Sequence, residues 1–362
     1  MNANECFPDT FFSSRSRFIE LAKVVGAELS SLLVGTSTAG MPEPLTIEVA
    51  LLGDRAAPKK VIHISGTHGV EGAAGAAIQC AILRENVAIP SNVAVILVHC
   101  LNPWGMSMQR RVNEFNVDLN RNSVFPPEER RGAPDGYDHV KSLLLPRRSM
   151  SYAEFIVRAL MKVARYGFSS VKQAITGGQF VDSNGLFFGG MELQSELLAL
   201  KEWLCAELSD TKRVISLDIH TGLGAFGEDA LLLDVTAESE EFGRVVAHFG
   251  QERVQGCDPR TSISYVTTGT LADLIQACFP SATVDRVVQE FGTSSPFKVL
   301  HALREENNHF FASERNFFGK RAVNLTKVFV PESLSWRERV IARGLAVYQQ
   351  ALAPESSDVR ST

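Results

Sequence analysis

Apolar positions along the chain fall into short runs separated by amphipathic stretches. The runs Leu45–Leu52, Lys60–Ser65 and Val93–Cys100 have the length and β-branched content of strands. Between the second and third lies Glu71–Arg84, EGAAGAAIQCAILR, whose small residues predict a helix packed close on a sheet. The later runs Arg213–Ile219, Ala230–Val235 and Val284–Gln289 are almost continuously apolar, so they read as central strands covered on both faces. Amphipathic spacing predicts a segment from Ser13 to Leu33 and helices over 191–208, 238–253, 297–310 and 333–350. Strands alternating with helices in this way predict an α/β chain of three layers, α/β/α.

Two stretches break the alternation. Residues 125–150 are dense in Pro, Gly and charge, and residues 176–190 are rich in Gly; both read as long surface loops rather than linkers. The expectation is therefore one domain over 1–350 with a frayed tail at 351–362. Composition narrows the picture: 45% of the 362 residues are hydrophobic and 21% charged, which excludes a disordered chain. The net charge of −5 offers no basic field for nucleic acid or an anionic membrane. No run reaches the roughly 20 apolar residues of a membrane span, and the amino terminus lacks a signal-type apolar core. Six cysteines with no CxxC pair, four of them (80, 100, 205 and 278) in apolar stretches, read as reduced core residues. The chain is expected to be cytoplasmic.

Chemistry concentrates in four places. Gly66-Thr67-His68-Gly69-Val70-Glu71-Gly72 follows a strand and sets His68 and Glu71 three residues apart, on one side of a turn. Imidazole and carboxylate both bind zinc, but the pair alone reads first as a loop histidine and a helix-start glutamate. Leu217-Asp218-Ile219-His220-Thr221-Gly222 puts His220 at a strand end, with Asp218 on the same face to orient it. Glu290 closes an apolar strand, where desolvation raises a carboxylate toward the range of a general base. The stretch from Gln109 to Asn122, QRRVNEFNVDLNRN, gathers guanidinium and amide donors suited to a carboxylate or an oxyanion. The other histidines, 63, 99, 139, 248, 301 and 309, read as structural or solvated.

SGTHGVEG, RRVNEFNVDLNRN, LDIHTGLG and QEFGT, in that order over about residues 40–320, resemble the M14-like zinc carboxypeptidase superfamily. Within it the chain is similar to the DUF2817 group, related to the aspartoacylase and succinylglutamate desuccinylase deacylases. The resemblance implies a zinc carboxypeptidase-like, phosphorylase/hydrolase-like fold with a mixed central sheet. It implies one Zn2+ held by His68, Glu71 and His220 with a fourth position for water, and Glu290 as the base that activates this water. Arg111 matches the arginine that steadies the oxyanion, with adjacent Arg110 as the alternative. Asn120 and Arg121 match a pair that grips a substrate carboxylate. Tyr265, in YVTTG followed by Asp273, resembles a mobile tyrosine segment and is a candidate substrate contact.

The expected function is a zinc-dependent amidohydrolase acting on a small peptide or N-acyl amino acid with a free carboxylate. A metallocarboxypeptidase acting on longer peptides shares the same site, and a non-catalytic metal- or ligand-binding protein on the same fold is the rival from another class. Oligomeric state and the roles of the two loops are not legible at this level.

Overall fold

The computed structural model describes residues 3–34, 43–126, 128–145, 148–208, 210–257, 267–312 and 320–354, with backbone alone for 320–324. Eight strands are described: β1 (Glu28–Leu33), β2 (Thr46–Gly53), β3 (Lys59–Ile64), β4 (Val93–His99), β5 (Arg213–Gly222), β6 (Asp229–Leu232), β7 (Val254–Gln255) and β8 (Thr283–Gly292). They form one mixed sheet in the order β1-β2-β4-β3-β5-β8-β6-β7. The four central strands β4, β3, β5 and β8 run parallel, while β2 and β6 join them antiparallel. From β3 the chain crosses to β4 on one side and then returns past β3 to β5. Between β3 and β5 the direction of sheet growth therefore reverses, and in open α/β sheets that is where a crevice opens beyond the carboxyl ends of the strands.

Helices cover both faces. Ile62, Ile64, Ile96, Val98 and Val214 pack on one side with Leu200 and Leu204 of the Ser195–Glu207 helix and Leu274 of the Leu271–Cys278 helix. On the other side Val61, Val95, Ile215 and Leu217 meet the helices Phe11–Val24, Gly72–Glu85 and Leu334–Leu352. The small residues of the Gly72–Glu85 helix act as the sequence suggests. A Cβ on Gly75 would lie 2.7 Å from the Ser65 Cβ, and one on Gly344 would lie 2.5 Å from Ile78. Close approach here brings the start of the helix, and with it Glu71, down onto the sheet edge.

Several expectations need correction. Ser13–Leu33 is not one amphipathic segment: a helix capped by Thr10 ends at Val24, Gly26 takes a left-handed φ of 73°, and β1 follows. Leu29, Leu32 and Leu33 imitate helical spacing, but they sit on a half-exposed edge strand. The 125–150 stretch contains a helix, Tyr137–Leu144, that buries Tyr137, Val140, Leu143 and Leu144. Two more helices, Tyr152–Tyr166 and Phe168–Thr176, fill the interval before the Gly-rich loop. The Ala230–Val235 run is a four-residue antiparallel strand rather than a long central one. The terminal helix runs to Leu352 and buries Ala351 and Leu352, so the tail starts later than 351. Cys205 is exposed, against the expectation of a core residue, and Cys6 is buried. Among the described residues no helix is long and apolar enough to cross a membrane.

Candidate active site

The carboxyl ends of β3, β5 and β8 converge on one crevice. After β3 the chain turns at Gly66, where φ is 69° and a Cβ would sit 2.0 Å from Cys100 Sγ, so no other side chain fits. His68 and Glu71 then occupy a single 3-10 turn. The turn is fastened from outside: Gly69 N–H donates to the Arg111 carbonyl at 3.2 Å and Val70 N–H to the Arg110 carbonyl at 2.8 Å. This couples the arginine segment to the histidine turn. β5 carries His220 and β8 carries Glu290, and the two residues are direct partners in the parallel register.

His68, Glu71 and His220 are buried, and one ligand atom from each lies within 4.8 Å of the others. His68 Nδ1 is 3.0 Å from Glu71 Oε1 and 3.1 Å from His220 Nδ1, and His220 Nδ1 is 3.3 Å from Glu71 Oε2. Both imidazoles therefore turn Nδ1 inward. Their outer nitrogens meet carboxylates: His68 Nε2 lies 3.1 Å from Asp118, and His220 Nε2 lies 2.6 Å from Asp218. A carboxylate behind each imidazole fixes ring orientation and raises basicity at the inner nitrogen. Asp218 is itself held by the Thr67 hydroxyl at 2.7 Å, and Glu71 Oε2 accepts the Thr221 N–H at 2.9 Å.

The electrostatics follow from this crowding. Burial would raise Glu71, but the two imidazoles outweigh it and hold its carboxyl well below the usual range. Burial would likewise lower His220, yet the Asp218 and Glu71 carboxylates pull it well above the ordinary histidine value. Asp118 is desolvated but held down by Arg111 and His68. Glu290 behaves oppositely. Burial and the neighbouring Glu71 charge raise it to about 7, despite the Leu223 N–H that its Oε1 accepts at 2.8 Å.

The two adjacent arginines have separate fates. Arg111 lines the crevice, with Nε on Asp118 Oδ2 at 2.9 Å and Nη1 3.4 Å from Glu71 Oε1. Arg110 is buried behind it, bonded to Glu306 at 2.7 Å and to Asn116 and Asn307, with Phe310 stacked 3.6 Å away. It does not border the crevice, and this corrects its reading as the alternative to Arg111 beside the reacting groups. Arg110→Met should therefore strand the Glu306 carboxylate and cost about 3–5 kcal/mol in denaturant unfolding, whereas Arg111→Met, which takes a partner from Asp118 and Glu71, should also lower turnover.

Asn120 and Arg121 also border the crevice. The Arg121 guanidinium is anchored by the Thr176 carbonyl at 3.1 and 2.8 Å, which ties the 176–190 loop to the site. Asn120 Oδ1 accepts the Leu271 N–H at 2.9 Å. Tyr265 lies outside the described residues. Asp273 closes a capping box with Thr270 at the start of the Leu271–Cys278 helix. Two residues escaped the sequence reading. Asp118 sits inside the arginine-rich motif, where the weight fell on guanidinium and amide groups and its carboxylate was passed over. Lys172, on a helix that was not foreseen, lines the crevice.

Five of the remaining histidines have partners outside the crevice. His63 and His99 are buried around Gln79, and burial lowers them to about 4 and about 3. His139 stacks on Tyr166, while His248 and His301 bond to backbone carbonyls.

No curated protein matches the sequence. Among solved structures, carboxypeptidase A of Helicoverpa armigera is 14% identical with a TM-score of 0.49, over 96% of this chain and 74% of that one. The metallo-carboxypeptidase of Burkholderia cenocepacia is 14% identical with a TM-score of 0.43, over 92% and 69%. The succinylglutamate desuccinylase of Chromobacterium violaceum is 13% identical with a TM-score of 0.37, over 82% and 74%. A family model described as a protein of unknown function, DUF2817, matches residues 7–343, and the chain belongs to that family.

Proposed function

We propose that the chain is a single-domain, zinc-dependent amidohydrolase that acts on a small peptide or N-acyl amino acid carrying a free carboxylate. The observation that carries this reading is the convergence of His68 Nδ1, Glu71 and His220 Nδ1 beside Glu290 in one crevice. Two imidazoles and one carboxylate, with both imidazoles backed by aspartates, fit a catalytic zinc ion. When bound, zinc supplies Lewis acidity toward an amide carbonyl and toward water.

The chain's own residues do the rest. Glu290, raised by its surroundings, takes a proton from the attacking water and delivers it to the leaving nitrogen; the C–O bond forms, the C–N bond breaks, and a carboxylic acid and an amine result. The Arg111 guanidinium borders the same space and stabilises negative charge on the carbonyl oxygen. Asn120 and Arg121 hold the substrate carboxylate, Arg121 being preset by its bonds to Thr176. Cysteines without a dense framework of paired spacings, four of them buried, fit a reducing, cytoplasmic setting.

The test is metal analysis of the purified protein together with a panel of N-acyl amino acids, dipeptides and longer peptides. One zinc per chain with cleavage of the small amides supports the reading; bound metal without turnover on any amide would instead favour a binding protein. Asp118→Asn should weaken zinc binding by roughly 10–100-fold, because the imidazole of His68 loses its carboxylate partner. Competition with a chromophoric chelator measures this directly.

A further inference from the structure

The crevice is larger and more apolar than a small polar head group needs. Its volume is about 650 Å³, within the range of sites that enclose a whole drug-sized ligand. Its polar part includes the candidate metal ligands with Asp218, Glu290, Arg111, Asn120 and Arg121, and a further charged group formed by Lys172, Asp234 and Arg286. Three helices supply much of the remainder: Val163 from Tyr152–Tyr166, Phe168, Val171 and Ile175 from Phe168–Thr176, and Phe297 and Leu300 from Pro296–Ala312. Phe168 both lines the chamber and is 60% exposed, so the apolar wall continues to the surface. On the preceding helix Val157, Leu160 and Met161 are also exposed. Apolar surface of this extent around water is unfavourable, and a ligand that covers it gains the corresponding transfer free energy.

We propose that this chamber binds the fatty acyl chain of an N-acyl amino acid, the chain running from the Glu290 end toward the mouth at Phe168. The inference rests on the amidohydrolase reading for the reaction but not for binding, and two measurements separate the two. The first is calorimetric titration of the metal-free protein with dodecanoate and acetate below micellar concentrations. Dodecanoate should bind, acetate should not, and Val163→Trp, which fills the chamber, should weaken dodecanoate binding by more than tenfold. Ala159→Leu, at a second lining position, should weaken it in the same direction, and thermal melts show that both variants are folded.

The second measurement is kcat/KM of the zinc-loaded protein on N-acetyl, N-hexanoyl and N-dodecanoyl amino acids. It should climb by about tenfold for every two methylenes added until the chamber is full, and Val163→Trp should flatten the climb. Cleavage that is flat or falls with chain length, or equal binding of dodecanoate by the wild type and both filled variants, overturns the chamber assignment and leaves the hydrolase reading standing. Chamber-dependent dodecanoate binding with no cleavage of any amide supports the chamber and removes the hydrolase reading.

Discussion

Glu290→Gln is expected to lower kcat by about 10²–10⁴-fold while leaving the zinc content at one ion per chain. Gln keeps the shape of the side chain and the acceptor for the Leu223 N–H, so the crevice stays intact; only the capacity to carry a proton is lost. Full activity in the variant would sink the proposed mechanism. The same substitution has a second signature. In the metal-free protein burial and the Glu71 charge raise Glu290 from the ordinary carboxylate range to about 7. A carboxyl with a raised folded-state pKa contributes stability that is complete below its unfolded pKa and is lost as pH climbs through the folded one. Metal-free Glu290→Gln should therefore melt higher than metal-free wild type at pH 8, by on the order of 2–3 kcal/mol. The gap should close by about pH 4. A gap that widens on acidification would contradict the assigned environment.

The second large effect concerns the metal. Zinc should raise the melting temperature of the wild type, because an ion that binds only the folded chain stabilises it by about 4 kcal/mol at a thousandfold excess over Kd. His220→Ala should abolish that rise together with turnover, a greater loss than the roughly 10–100-fold assigned to the partner behind His68. Binding should also weaken as pH falls. His220 is held well above the ordinary histidine range by Asp218 and Glu71, so an incoming ion must displace its proton. Calorimetric titrations in buffers of different ionisation enthalpy would register that proton. Equal apparent heats in all buffers, or a melting temperature that zinc still raises in His220→Ala, would remove His220 from the ligand set.

The polar ends of core strands were legible because an apolar run that stops at a histidine or glutamate beside glycine leaves that side chain little choice of direction. His68, Glu71, His220 and Glu290 were all found in this way, and they share one crevice. The distinction between Arg110 and Arg111 was not legible, because it depends on Glu306 and Phe310, nearly 200 positions away. Asp118 was hidden for a related reason: its partners His68 and Arg111 become neighbours only once the arginine segment is fastened to the histidine turn. The helices over 152–176 gave a weak signal, since much of their apolar surface faces solvent or the chamber instead of the sheet. β1 was lost to a coincidence of leucine spacing.

The pairing of His220 with Glu290 across β5 and β8 has an evolutionary corollary. Neighbouring strands are held about 4.8 Å apart by backbone hydrogen bonds, so the separation of His220 and Glu290 owes nothing to the loops around them. The chamber walls belong to other segments, chiefly 152–176 and 296–312. On the proposed reading chemistry and selectivity are thus modular: exchange of those segments among homologues would move the chain to new substrates while the reacting centre stayed as it is.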